Sequence, residues 1–194
     1  MRRTSSAVFF VAVATVYTLL PGASRADVTV GQTFNTVARH QPLAEILEET
    51  VIAVQPGRYL AWPTIAKAQN GDLLVGFSGD RDWHVDPYGK IYTVRSTNGG
   101  QTWGEPQLVL DTPLDDRDTG LLTLPDGTMA ITFNGSMAFE NYEEYQAQAA
   151  AITPQERSTW TGTFMRLSYD NGHTWGSYLR MPIATPHGPT PLSD

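Results

Sequence analysis

The chain has no cysteine, which excludes a disulfide framework and a thiolate metal site. Lys and Arg number 13 against 20 Asp and Glu, and the formal net charge is −7, so the composition argues against a nucleic-acid-binding surface. Long hydrophobic runs are also scarce, and the one at residues 7–20 is too short for a membrane-spanning helix. The length of 194 residues is enough for one domain with a substantial core.

The N-terminus has the features of an export signal. Arg2-Arg3 precedes the apolar run, and Ser24-Arg25-Ala26 ends in the small residues that a signal peptidase accepts. We therefore predict a signal peptide over residues 1–26 and a secreted or periplasmic protein with no membrane partner after signal removal; an N-terminal membrane anchor is the alternative. Residues 27–50 form an N-terminal segment without an assigned function, and 42–49 has a helical pattern.

From residue 51 the pattern changes to short β runs separated by turn residues. Strands are predicted over 59–66, 72–78, 91–95 and 106–110, and again over 119–124, 128–133, 162–167 and 178–183. The first hairpin of each set turns at Asn70-Gly71 or Asp126-Gly127, and Asn-Gly and Asp-Gly are the strongest short hairpin signals. Aligning these turns puts Ala61 opposite Arg117. The sequence therefore predicts one antiparallel four-stranded unit that occurs twice.

The third and fourth strands of each set are joined by nearly identical octets. Both follow the pattern Ser-x-Asp/Asn-x-Gly-x-Thr-Trp, in which the acid or amide caps a turn, Gly takes a positive φ, and Trp packs back as an apolar plug. The first octet contributes Ser96, Asn98, Gly100, Thr102 and Trp103, and the second contributes Ser168, Asp170, Gly172, Thr174 and Trp175. We interpret these ten residues as structural.

The octet is the Asp-box, and its recurrence resembles the bacterial-neuraminidase repeat of the sialidase superfamily. The resemblance implies an all-β fold, a six-bladed sialidase-like β-propeller, of which 51–194 would be a partial domain. Blade 1 would span about 51–112, blade 2 about 113–184, and the start of blade 3 185–194. A β-sandwich is the alternative, although it does not predict paired Asp-boxes.

Two features of this arrangement stand apart from the strands. Residues 138–157 form an insertion in blade 2 with helical composition, and Thr153-Pro154 is a favourable helix start. Such insertions lie over a rim, as a cover for a site or as a solvated decoration.

Because two blades and a stub cannot close a propeller, we expect a fragment or a chain that self-associates through its open blade edge.

The loop 79–90 collects charged and aromatic side chains, and the resemblance implies roles for two of them. Arg81 and Asp86 match the spacing of a sialidase arginine that binds substrate and the aspartate that acts as acid/base. The sequence departs from the family at Ala61-Trp62-Pro63, where sialidases carry the first arginine of their triad. A local ion pair of Arg81 with Asp80 or Asp82 is the alternative interpretation of this loop.

Further residues complete the candidate site. Arg117 could supply a guanidinium from the second set, and Asp118 and His84 lie nearby in sequence, so all three are predicted to contact a glycan substrate. His84, like His187, is also compatible with an ordinary loop residue, and a His-x-Asp spacing is a weak metal signal. We predict neither a metal nor a cofactor.

Three functions are compatible with these observations. The resemblance implies a glycoside hydrolase of exo-sialidase type that acts on terminal sugars, with its nucleophile supplied by later blades. A non-catalytic glycan-binding propeller would explain Ala61 directly. An inactive truncated product is the third possibility.

Overall fold

The computed structural model describes residues 17–19, 44–46, 49–183 and 188–190. The chain divides into two compact units, one of residues 13–51 and the other comprising residues 1–12 and 52–194. In the smaller unit, β1 (Tyr17–Leu19) pairs antiparallel with β2 (Ala44–Ile46). The expected helix over 42–49 is therefore wrong at its centre, because pairing with a second strand overrides a weak local preference.

The larger unit contains two four-stranded antiparallel sheets, each formed by consecutive strands. The first sheet contains β3 (Tyr59–Lys67), β4 (Leu73–Arg81), β5 (Lys90–Ser96) and β6 (Gln107–Leu110). The second contains β7 (Asp115–Thr123), β8 (Met129–Ser136), β9 (Gly162–Ser168) and β10 (Leu179–Arg180). The all-β prediction is confirmed, and eight strands occur in the predicted order.

The strand boundaries differ from the prediction where acidic residues are concentrated. β4 continues to Arg81 instead of ending at residue 78, and β7 begins at Asp115 instead of residue 119. Charged residues in a sequence are typical of a loop, but these side chains find partners across the two sheets, so the backbone stays extended. At the end of the second sheet, β10 is shorter than predicted and covers only Leu179–Arg180.

The two sheets repeat each other in detail. In the first, the register of β3 and β4 shifts between Ala61 and Thr64, and in the second the register of β7 and β8 shifts between Arg117 and Gly120. A residue with positive φ lies within each irregularity, Trp62 at 51° and Asp118 at 58°. Both bulges therefore occur at equivalent positions, as the alignment of Ala61 with Arg117 predicts, and bulges of this kind redirect side chains.

Apolar residues of both sheets form a shared core. Leu74, Ile91 and Leu110 of the first sheet pack with side chains of the second, among them Ile131 and Phe133. On the opposite face of the first sheet a separate apolar cluster contains Ile52, Leu60, Val75, Phe77 and Val94. Gly76 of β4 lies at the contact, because an added Cβ would come within 2.7 Å of Thr119 Cγ2. The sheets thus pack face to face at close distance.

The two Asp-box turns have matching geometry. The Ser96 hydroxyl donates to Asn98 at 2.9 Å and accepts from the Gly100 N–H at 2.8 Å. In the second turn, the Ser168 hydroxyl donates to Asp170 at 2.7 Å and accepts from the Gly172 N–H at 2.8 Å. Thr102 and Thr174 each donate a backbone N–H to the Asn or Asp at 2.9 Å, while Trp103 and Trp175 pack against the apolar clusters.

The insertion between β8 and β9 is helical, as predicted. Two 3-10 turns, Ala138–Asn141 and Glu143–Tyr145, lead into α1 (Gln146–Ala151) and α2 (Pro154–Trp160). Thr153 caps α2 in a capping box with Glu156, and proline occupies the first turn. These contacts explain why the helix begins where the sequence predicts.

Candidate functional site

The candidate residues lie at one end of both sheets, opposite the Asp-box turns. Strand pairing places Tyr59 beside Arg81 and Lys90 beside Gly79, so the start of β3 and the β4–β5 loop (residues 82–89) meet there. The first residue of β7, Asp115, pairs with Ser136 at the corresponding end of the second sheet. A backbone bond from the Asp116 N–H to the Gly89 carbonyl, at 3.1 Å, joins the two ends.

Arg81 is buried and is held by the second sheet. Its Nη1 and Nη2 donate to the two carboxylate oxygens of Asp115 at 2.5 and 3.1 Å, and both side chains are 0% exposed. Nη1 also donates to Ser78 Oγ at 3.0 Å, and Nη2 donates to the His84 carbonyl at 2.8 Å. The ion-pair partner of Arg81 lies in the other sheet, so the alternative interpretation, a local pair with Asp80 or Asp82, is wrong.

This placement bears on the predicted role of Arg81 in binding substrate. A carboxylate ligand needs the open fork of the guanidinium, and Asp115 already occupies that fork in a bidentate pair. In this structure the guanidinium therefore joins the sheets and is not presented to solvent. The role in substrate binding stays a prediction.

Asp86 organises the β4–β5 loop. Its Oδ2 accepts the N–H groups of Asp82 and Trp83 at 2.6 and 2.9 Å, and its Oδ1 accepts the Tyr88 N–H at 2.9 Å. The residue is 0% exposed. Three donors on one buried carboxylate stabilise a tight loop, whereas proton transfer to a sugar would require access to that carboxylate. The acid/base role of Asp86 also stays a prediction.

Two buried carboxyl groups at the start of β7 were not identified from the sequence. Burial raises the pKa of Asp115, while the neighbouring Arg81 opposes that rise. Burial also raises the pKa of Asp116 to about 8, although the Thr112 N–H and hydroxyl each bond its carboxyl at 2.7 Å. The run Asp115-Asp116-Arg117-Asp118 is plain in the sequence, but its burial follows from strand pairing and does not follow from the run itself.

Trp62 is the aromatic centre of this end and was not singled out from the sequence. The Cζ atoms of Arg117 and Arg81 lie 4.4 and 4.8 Å from the centre of its ring. The imidazole of His84 lies 5.2 Å from it, and the Tyr59 ring lies 6.5 Å away. Alignment of the two repeats places Trp62 opposite Asp118, which was already a candidate residue, and this correspondence could have identified Trp62 as a further candidate.

The remaining predicted site residues gather around this tryptophan. Arg117 reaches the carboxylates of Asp115 and Asp118, each at 3.5 Å, and its side chain is 13% exposed. His84 is exposed, and its Nδ1 lies 3.4 Å from the Tyr59 hydroxyl. The structure therefore brings Arg81, Arg117 and His84 into contact with one ring, with Asp118 beside Arg117. His187 lies outside the described residues.

The helical insertion packs against the β4–β5 loop. Val85 shares an apolar cluster with Leu114 and Phe139, and Gln148 donates to the Tyr88 hydroxyl at 2.9 Å. Tyr145 lies edge-on to Tyr88 at 6.4 Å, and burial together with the charges of Asp86 and Asp82 raises its pKa to about 12. The insertion thus holds the loop that carries Asp86 in place.

A cleft of about 450 Å³ lies beside this loop, and its wall is charged. It is lined by Arg58, Asp80, Asp82, Pro87, Tyr88, Lys90 and Asp111. In the part of the chain that the structure describes, no group of three or more His, Cys, Asp or Glu side chains is arranged to hold a metal ion. Over the same residues, no helix is long and apolar enough to cross a membrane.

No protein-family model and no curated protein matches the chain. Among solved structures, a protein of unknown function from Dyadobacter fermentans DSM 18053 is 24% identical with a TM-score of 0.51, over 66% of this chain and 38% of that one. Hadza microbial sialidase Hz136 is 18% identical with a TM-score of 0.47, over 62% of this chain and 25% of that one. The first similarity shows a shared fold alone. The second is too distant to carry the activity in that protein's name to this chain.

Proposed function

We propose that the two sheets are two adjacent blades of a sialidase-like β-propeller of the six-bladed type. Support comes from the identical strand order, the equivalent bulges at Trp62 and Asp118, and the matching Asp-box turns. The two sheets also pack face to face through a common core, as adjacent blades do. Loops at one end of such blades converge on the propeller axis, and the loop of Asp86 lies at that end.

The function that this geometry supports best is recognition of a glycan at the end where Trp62 lies. The observation that carries the proposal is the half-buried Trp62 ring, which lies at a bulge close to two guanidinium groups. A flat aromatic surface can contact the apolar face of a sugar ring. Arg117 can donate to the sugar hydroxyls, and the Asp118 carboxylate can accept from them. Ligand sites typically have a small number of polar groups that converge on an apolar surface.

Calorimetric titration of the purified 194-residue chain with a panel of monosaccharide glycosides tests this function. We expect Trp62→Ala to weaken sugar binding at least tenfold, since it removes the stacking surface. Trp83→Ala is the matched control, because the Trp83 residue is 59% exposed in the adjoining loop and should bind sugars as the wild type does. Absence of sugar binding, or equal binding by Trp62→Ala and the wild type, would contradict the proposal.

A hydrolase of exo-sialidase type is the second candidate. The observation that favours it is the proximity of the residues that the resemblance implies. Arg81 Nη2 donates to the His84 carbonyl at 2.8 Å, and Asp86 accepts the Asp82 and Trp83 N–H groups of the same loop. In this mechanism an Asp86 accessible to the substrate would protonate the leaving oxygen, while the nucleophile that the resemblance places in later blades attacks the anomeric carbon.

Release of a chromogenic leaving group from sialosides and neutral glycosides tests the hydrolase. If the chain has activity, Asp86→Asn should lower the rate by a factor of about 10² to 10⁴, the usual contribution of a general acid. Full activity in Asp86→Asn would eliminate that assignment. Because the resemblance assigns the nucleophile to later blades, the assay uses a longer relative that carries those blades, and sugar binding without hydrolysis there would favour the recognition function.

We also propose that residues 1–26 direct export, which would bring the protein to glycans outside the cytoplasm. Sequencing the N-terminus of protein recovered from the cell exterior or periplasm should identify Asp27 as the first residue. Retention of Met1 on recovered protein would contradict processing at this site.

A further inference from the structure

Every Lys and Arg side chain in the described segments 58–62, 78–90 and 111–118, at the Trp62 end, contacts a carboxylate. The exposed Arg58 bonds Asp82, and the Lys90 ammonium lies 3.5 Å from Asp80 and 3.1 Å from Asp111. The buried pair of Arg81 and Asp115 and the contacts of Arg117 complete the set. In these segments Asp115 fills the fork of the buried Arg81, and Arg58 and Arg117 each already contact a carboxylate.

Carboxyl groups outnumber these cations. The three segments contain four Lys and Arg residues and seven Asp residues. We name these seven carboxyl groups the acidic rim, and they belong to Asp80, Asp82, Asp86, Asp111, Asp115, Asp116 and Asp118. With Asp116 neutral, six carboxylates still face four cations. The surroundings of the Trp62 ring therefore carry net negative charge.

The surroundings of Arg117 show how the excess of carboxylates would affect a bound sugar. It is the arginine nearest to the Trp62 ring, at 4.4 Å, yet its guanidinium lies between two carboxylates at 3.5 Å each. A carboxylated sugar stacked on Trp62 would have to displace Asp118 and would approach Asp115 as a like charge. A neutral sugar has hydroxyl groups that donate to Asp118 and accept from Arg117 with both residues left in place.

We propose that the part of the site supplied by this chain selects an uncharged sugar ring over a carboxylated one. This inference rests on the proposed glycan recognition and defines the class of sugar. Discrimination arises because the acidic rim repels the carboxylate and the neighbouring arginines are already occupied.

Matched ligands test the inference directly. The full chain is titrated by calorimetry with a methyl galactoside and a methyl galacturonide, which differ only in a hydroxymethyl or carboxylate group, and with a sialoside. We expect the neutral sugar to bind at least tenfold more tightly than either acid. Raising the salt concentration should narrow this difference, because salt screens the repulsion and leaves the neutral sugar's affinity unchanged.

Asp118→Asn provides the variant test. Asn tolerates the positive φ of 58° at this position, so the backbone is expected to persist. The change removes one carboxylate and frees the Nε side of Arg117, and it should shift the ratio of uronide to galactoside affinity at least fivefold towards the uronide. Asp126→Asn is the control: this Asp caps the β7–β8 turn at the other end of the sheet, and its loss should leave the ratio unchanged.

The outcomes separate this inference from the function on which it rests. Tighter binding of the uronide or sialoside than of the galactoside by the wild type would overturn the preference while leaving glycan recognition intact. An unchanged affinity ratio in Asp118→Asn would show that the acidic rim does not set the preference. Failure of all the sugars to bind would overturn both.

Discussion

Replacing Arg81 tests whether its main role is to join the two sheets. Arg81→Met keeps much of the side-chain volume but leaves the Asp115 carboxylate buried without its bidentate partner. Removal of one member of a buried ion pair typically costs about 3–5 kcal/mol, because the remaining charge is uncompensated. Both side chains here are 0% exposed, so we expect the full range to apply to the free energy of unfolding.

A double-mutant cycle isolates the pair itself. Asp115→Leu leaves the Arg81 guanidinium with only Ser78 and main-chain carbonyl partners, and should cost a similar amount. The double variant Arg81→Met/Asp115→Leu replaces the pair by apolar groups, a change that is often close to neutral. It should therefore be more stable than the sum of the single changes predicts, by about 2–3 kcal/mol or more.

Urea denaturation of each variant, followed by tryptophan fluorescence, measures these free energies. The control is Arg58→Met, since the Arg58 and Asp82 side chains are 44% and 52% exposed and such pairs contribute about 0–1 kcal/mol. A cost below about 1 kcal/mol for Arg81→Met, or additive single changes, would refute the argument that a buried charge pair joins the sheets.

Three further predictions concern other parts of the larger unit. Because burial raises the pKa of Asp116 to about 8, the folded chain binds more protons than the unfolded chain between about pH 4 and pH 8, and unfolding free energy should fall as pH rises, by at most about 1.4 kcal/mol per pH unit. Asp116→Asn should flatten that slope in urea titrations, and parallel profiles for the two proteins would contradict it. Gly89→Ala should destabilise the fold by about 1–3 kcal/mol in urea unfolding, because its Cβ would lie 2.1 Å from Arg81 Nη1. Gly104→Ala is the control and should be neutral, because its Cβ would meet only a carbonyl oxygen at 3.6 Å. Ser168→Ala removes the buried acceptor of the Gly172 N–H and should cost about 1–3 kcal/mol; a change below about 0.5 kcal/mol in urea unfolding would show that the Asp-box hydroxyl is dispensable.

Much of the larger unit could be predicted because its signals are local. Asn70-Gly71 and Asp126-Gly127 form the predicted turns since they suit hairpin backbone geometry whatever surrounds them. Thr153 begins α2 because its hydroxyl and the Glu156 side chain satisfy backbone groups three residues away. Repetition adds longer-range information, since alignment of the two strand sets places Ala61 and Arg117 at equivalent positions.

The sequence predicted several residues that lie close together at the candidate site, but it did not predict their contacts or their burial. Arg81, Arg117 and His84 do come together, yet the sequence did not indicate that they meet at Trp62. Asp86 was chosen for its spacing, while its burial depends on three backbone N–H groups that the loop directs at it.

Sequence by itself therefore determined the order of strands, their hairpins, the Asp-box turns and the helical insertion, because each depends on residues a few positions apart. Tertiary structure alone decided which charges are buried and which partners they have. Arg81 and Asp115 are 34 residues apart in the chain, and only the packing of one sheet on the other brings the guanidinium to the carboxylate and excludes water from both.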